Sequence, residues 1–250
     1  MRTGNPALNE AAFRNAATFD AAPSDRMTLS GAVAKSAMLL LILVAAGSIT
    51  WTQAFGPAGM TPLFHGLVWG GSILGLIIAL VTVFKPQWSP LTAPVYACCQ
   101  GLFLGGLSAI YETQFQGLVV QAVGLTVGIF AVLLGTYASG LVKPSENFKL
   151  GVVAATGGVA LVYLVSFGLS FFGISIPLIH GSGWVGIGFS LFVVVLASLN
   201  LVLDFDFIET GAERGAPKYM EWYSAFGLLV TLIWLYVEIL RLLAKLRSRD

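Results

Sequence analysis

The sequence predicts an all-α membrane protein, a bundle of seven transmembrane helices, and two observations carry that prediction. The first is composition. Of 250 residues, 57% are hydrophobic and only 10% charged, with a mean hydropathy of +0.86, whereas a water-soluble domain carries about 25% charged residues. The second is where the charges fall. They clump, leaving 49 uncharged residues between Lys35 and Lys85, 26 between Lys85 and Glu112, 30 between Glu112 and Lys143, and 54 between Lys149 and Asp204. A spanning helix needs about 20 residues. The intervals therefore hold two, one, one and two spans, and the apolar stretch from Trp222 adds a seventh.

Residues 1–30 are mixed and polar, with Arg2, Glu10, Arg14, Asp20, Asp25 and Arg26 among Ala, Asn and Ser. They are too long and too acidic for the start of a signal peptide. The reading is a retained, poorly ordered cytoplasmic tail, with residues 31–250 as the membrane domain. Span 1 is expected over about Ala34 to Gln53, closed by Gly56, Pro57 and Pro62. Span 2, about Leu63 to Phe84, carries Gly66, Gly70, Gly71 and Gly75. Small residues four apart let helix backbones approach closely in lipid, so Gly66 and Gly70 are expected to pack.

Lys85-Pro86 and Ser89-Pro90 interrupt the chain before span 3, about Ala93 to Tyr111, where Gly101, Gly105 and Gly106 form another expected packing face. Span 4 covers about Leu118 to Leu141, and the polar stretch Lys143 to Glu146 separates it from span 5, about Leu150 to Phe172. Span 6 starts near Trp184 and reaches Asp204. Span 7 runs from about Trp222 to Leu243.

Several functions are excluded by the same reading. A net charge of +1 with no basic cluster outside the spans, except at the C-terminus, argues against a nucleic-acid partner. Cys98 and Cys99 are adjacent, unable to staple distant segments, and read as small buried packing residues. Gly181, Gly183 and Gly186 have dinucleotide-fingerprint spacing, but they lead into a spanning run with no preceding strand. Neither a Ser-based nucleophile motif nor a His and Cys ligand cluster is present, so no cofactor, no metal and no enzyme is expected.

Orientation follows from Lys and Arg in alternate loops. Nine of the thirteen fall in the tail and the 2–3, 4–5 and 6–7 loops, and none in the 1–2, 3–4 and 5–6 loops. That places the N-terminus in the cytoplasm, with the chain in the cell membrane as a multi-pass protein. The other four, Arg241, Lys245, Arg247 and Arg249, lie outside if span 7 crosses completely, which its length favours.

Ionisable groups within spans cost about 2.5–3.5 kcal/mol on insertion scales and are functional candidates by default. Three qualify: Asp204 and Asp206 at the end of span 6, and Glu238 in span 7. In the plainer reading the two aspartates are hydrated near Lys218 and Arg214, and Glu238 makes a weak i,i+3 pair with Arg241.

Leu203-Asp204-Phe205, followed by Leu235-Tyr236-Val237-Glu238-Ile239-Leu240, resembles the signature of the Bax inhibitor-1 family of seven-span proteins, in particular its bacterial YccA-like branch. Ala93-Pro94-Val95-Tyr96-Ala97 leading to Gly101 through Gly105 is similar to the family's third span. The resemblance implies a bundle with the last helix central and a pH-sensitive calcium leak, calcium being transported and only weakly bound. It also implies a latch in which an acid of span 6 and one of span 7, here Asp204 and Glu238, share a proton, with Asp206 and Arg241 in support. Close carboxylates in a low-dielectric setting do titrate as a coupled pair. The chain departs from the pattern in having Glu at 238 where Asp is usual and Gln100 where many members carry Glu. Moreover, 16 residues separate Glu238 from Trp222, about 24 Å of helix, so the latch closes only if helix 7 starts well inside the cytoplasm, around Lys218 to Trp222, which the long charged 6–7 connection allows.

The alternative function is a regulatory protein that binds a membrane protease or another integral partner. An intramembrane aspartyl protease is disfavoured, because the Gly-x-Gly-Asp context is missing around Asp204 and position 238 is not Asp.

Overall fold

The computed structural model describes residues 25–170, 172, 181 and 183–248. Residues 1–24, with most of the expected tail, lie outside it, as do Pro177, His180 and Arg249. The described residues form seven helices, each long and apolar enough to cross a membrane. They are α1 (Leu29–Ala54), α2 (Pro62–Phe84), α3 (Ser89–Gln114), α4 (Leu118–Ala138), α5 (Glu146–Ser170), α6 (Trp184–Glu213) and α7 (Met220–Arg247). The chain is a multi-pass membrane protein, its apolar outer faces turned to lipid.

Local chemistry sets the ends. Thr28 caps α1 by accepting the Gly31 N–H at 3.0 Å, so the helix starts five residues before the expected Ala34. Thr61 caps α2, with Pro62 in its first turn, and Pro86 follows its C-cap Lys85. Gly117 precedes α4 at φ +77°, and Gly215 follows α6 at φ +63°, backbone geometry that favours glycine. α7 is unbroken over 28 residues, about 42 Å at helical rise.

The chain divides into two compact units. Among the described residues, one holds 25–116 with Phe207–Val230, the other Gly117–Asp206 with 231–248. Both α6 and α7 run from one into the other.

In the first unit, backbones meet through glycine. A Cβ on Gly101 would overlap the Leu43 carbonyl of α1, and one on Gly105 the Gly47 carbonyl. Thr50 reinforces the seam, its hydroxyl donating to the Leu102 carbonyl at 3.0 Å. On α2 the packing residues are Gly71 and Gly75, where a Cβ would stand 2.6 Å from the Cys99 carbonyl and 2.8 Å from the Gln100 amide nitrogen. This corrects the expectation for Gly66 and Gly70, which have nothing within 4 Å. Spacing of four marks a stripe but not which way it faces, and the face toward α3 is the neighbouring one. Likewise only Cys99 is buried, while Cys98 points outward.

The same unit contains a clasp between the chain before α1 and the connection from α6 to α7. Met27 donates its N–H to the Ala216 carbonyl and Lys218 its N–H to the Asp25 carbonyl, at 2.6 and 2.8 Å, around an antiparallel bridge of Arg26 with Pro217. Glu221, in the first turn of α7, is buried. Its Oε1 accepts the Thr28 N–H at 3.0 Å and the Thr28 hydroxyl at 2.9 Å, and pairs with the Lys218 ammonium at 3.0 Å. Residues 25–30, expected to belong to the tail, are therefore a bridged segment and a helix start.

In the second unit, Val152, Val159, Val193, Leu196 and Leu203 form a buried cluster joined by Trp234. Phe205 meets the rings of Phe130 and Tyr137 from α4.

Candidate functional site

The polar groups of the second unit lie on α5, α6 and the later part of α7, and three contacts set the register of α5 against α6. Lys149 pairs with Asp206 at 2.7 Å, the Asn200 amide donates to the Thr156 hydroxyl at 2.8 Å, and the Tyr163 and Phe189 rings meet edge to face. As the α5 number rises the α6 number falls, so the helices are antiparallel.

At one end Lys149 is buried between Asp206 and the exposed Glu146, the latter at 3.1 Å. A buried ammonium held by two carboxylates is a stable arrangement only because the pairing offsets desolvation. The partner of Asp206 is thus Lys149, not the basic residues of the 6–7 connection.

Further along, Glu238 is 2% exposed. Its Oε1 accepts the Tyr163 hydroxyl at 2.9 Å and the Arg241 guanidinium at 2.8 Å, and Arg241 also donates to the Tyr163 oxygen at 3.0 Å. The Arg241 guanidinium lies over the Tyr163 ring, 5.4 Å from its centre. The expected Glu238–Arg241 pair is present, but as part of a closed three-residue ring with a buried carboxylate. One helical turn on, the Lys245 ammonium is buried and donates to the Gly186 carbonyl at 3.0 Å and the Ser190 hydroxyl at 2.8 Å.

Asp204 is fully buried. It lies between Asn200 and Asp206 on α6, so the register puts it beside residues 151 to 152 of α5, whereas Glu238 is bonded to Tyr163. Eleven or twelve residues correspond to about 17 Å along the helix, more than two acidic side chains bridge. The hydrogen bonds described for Glu238 go to Tyr163 and Arg241, at a level of α5 about 17 Å from that of Asp204.

Among the described residues, no three His, Cys, Asp or Glu side chains converge as metal ligands do. The buried oxygens of this unit are spread along the helices instead. Sequence reasoning missed Tyr163, Lys149, Asn200 and the burial of Lys245. One signal was available: Glu238, Arg241 and Lys245 follow the i, i+3, i+7 spacing of a single helix face.

A family model described as Bax inhibitor 1 like matches residues 5–248. A search of curated proteins finds no match.

Proposed function

The chain belongs to the Bax inhibitor-1 family, and from that membership and its buried acids we propose that it conducts a slow, pH-sensitive leak of calcium across the cell membrane, with its N-terminus in the cytoplasm. It is a conduit and not a catalyst. The observation that carries the reading is the pair of carboxylates, Asp204 at 0% and Glu238 at 2% exposure, inside helices of membrane-crossing length. Intramembrane acids mark ion and proton pathways.

In this reading each acid acts at its own depth. Ionised Asp204 offers a negative charge to a passing cation. Ionised Glu238 neutralises Arg241 and holds it against Tyr163. When pH falls and Asp204 takes up a proton, that attraction is lost. The leak therefore increases as pH rises. Oxygen ligands this few and this scattered hold calcium weakly, which suits passage.

The test is calcium flux into liposomes containing the wild-type protein or Asp204→Asn at about pH 6 and about pH 8, a range into which full burial can raise a carboxyl group. The expected result is faster flux at the higher pH in wild type and a weaker pH response in the variant. Wild-type liposomes no leakier than empty ones would overturn the leak.

A further inference from the structure

We infer that the open edge of the Arg241 guanidinium, near the end of the second unit where α7 finishes, binds the phosphate of an anionic glycerophospholipid. The inference does not depend on the leak.

Arginine carries five N–H donors in a fixed fork. In Arg241 the two on Nη1 are taken, one by the Tyr163 oxygen at 3.0 Å and the other by Glu238 Oε1 at 2.8 Å. The donors on Nε and Nη2 meet no acceptor among the described residues, and the side chain is 33% exposed. Glu238 and the Tyr163 ring hold the guanidinium from two sides, so the open edge has a set direction. Nε beside Nη2 matches two oxygens of one phosphate. This edge belongs to a helix of membrane-crossing length, where polar hydrogens without an acceptor are costly.

Charge selects the anion. Neither α4, nor α5 from Leu150 to Ser170, nor α6 from Trp184 to Leu203 carries a charged residue. The described charges at this end of the unit are therefore Glu238, Arg241, Lys245 and Arg247, one acid against three bases, with a net charge of +2. A zwitterionic lipid would bring its ammonium group into that field, and an anionic lipid does not.

The surroundings select a lipid over a free phosphate. Tyr163 and Phe189 are in ring contact. Phe167 follows Tyr163 by one turn on the same face of α5, Val185 precedes Phe189 by one turn on α6, and both are exposed. Trp184, also exposed, is the first residue of α6, where an aromatic side chain sits at headgroup level. The Lys245 ammonium is bonded to the Gly186 carbonyl, and Arg241, one turn deeper, lies about 6 Å below it, near enough for a long side chain to reach the headgroups. A soluble phosphate would shed its water against this apolar rim, whereas a phospholipid lays its own tails on it.

The experiment measures lipid binding to the full-length protein in a neutral detergent by native mass spectrometry. Phosphatidylglycerol and phosphatidylcholine with the same acyl chains are compared on wild type, Arg241→Lys, Arg247→Gln and the double variant Glu238→Gln with Arg241→Leu. In wild type the first phosphatidylglycerol is expected to bind roughly tenfold tighter than phosphatidylcholine, the scale of a hydrogen bond between charged groups. Arg241→Lys, which keeps the charge but not the fork, and the double variant should lose most of that preference, while Arg247→Gln keeps it. Equal binding of the two lipids to wild type overturns the site. So does a preference that survives in the double variant, which decides the matter if Arg241→Lys does not fold. A loss in Arg247→Gln as large as that in Arg241→Lys overturns it in favour of a diffuse basic surface, and displacement of the lipid by inorganic phosphate at equal concentration overturns it in favour of a soluble anion.

Discussion

Gly31 of α1 lies directly against the carboxylate of Glu221 in α7, so that a methyl group on Gly31 would occupy the space of Oε1. The same oxygen accepts both hydrogen bonds from Thr28. Glycine here is a requirement of close approach, since Gly31 lies in an ordinary helix whose own preference would be for alanine.

Gly31→Ala is therefore expected to lower stability by about 1–3 kcal/mol, the usual cost of overpacking. Thermal unfolding of the detergent-solubilised protein measures it. A variant as stable as wild type would show that Glu221 swings aside freely.

Glu221→Ala should loosen the clasp itself. Losing the acceptor for the Thr28 N–H and hydroxyl resembles losing a helix cap, worth about 1 kcal/mol, so local opening should rise roughly fivefold. Trypsin reads this out, because Arg26 and Lys218 both lie in the clasped segments. Equal cleavage rates at these two residues in variant and wild type would contradict the assignment.

The glycine faces separate cleanly. Gly105→Ala drives a methyl into the Gly47 carbonyl of α1 and is expected to cost about 1–3 kcal/mol. Gly66→Ala and Gly70→Ala meet open space and should change stability by no more than about 1 kcal/mol, in the stabilising direction that helix propensity favours. A reversed order in thermal unfolding would mean that the face of α2 is misassigned.

Arg241→Leu leaves the Glu238 carboxylate buried without its cation, a change expected to cost about 3–5 kcal/mol. Adding Glu238→Gln should recover most of that, since the double variant holds no uncompensated charge. A double-mutant cycle on unfolding free energy checks this, and additive losses would show the two groups to be independent.

Asp204 and Glu238 should behave in the opposite way. Groups more than about 7–10 Å apart with no shared partner act additively, and the register separates these two by about 17 Å. The logarithm of calcium flux at high pH in Asp204→Asn with Glu238→Gln should equal the sum of the single effects. Strong non-additivity would restore the shared proton.

The seven helices were legible because hydrocarbon thickness imposes a length on each apolar run and the charges mark where each run stops. Family membership was legible from short segments around Asp204 and Glu238. What those acids touch was harder to read. Glu238 with Arg241 is a local pair along α7, visible in the spacing, but Tyr163 lies 75 residues away in sequence, and no periodicity within either helix reports the other. Lys149 opposite Asp206 and Thr156 opposite Asn200 are of the same kind.

The sequence by itself determined how many helices cross the membrane, roughly where they end, and which few ionisable groups are carried into it, because these depend on the solvent preference of each residue in turn. Only the tertiary structure decided that Gly71 packs and Gly66 does not, that Glu221 grips Thr28, and that Glu238 is bound to Arg241 and Tyr163 out of reach of Asp204. Those outcomes depend on the rotation and axial offset of one helix against another, which are set by the packing of whole faces and not by any residue alone.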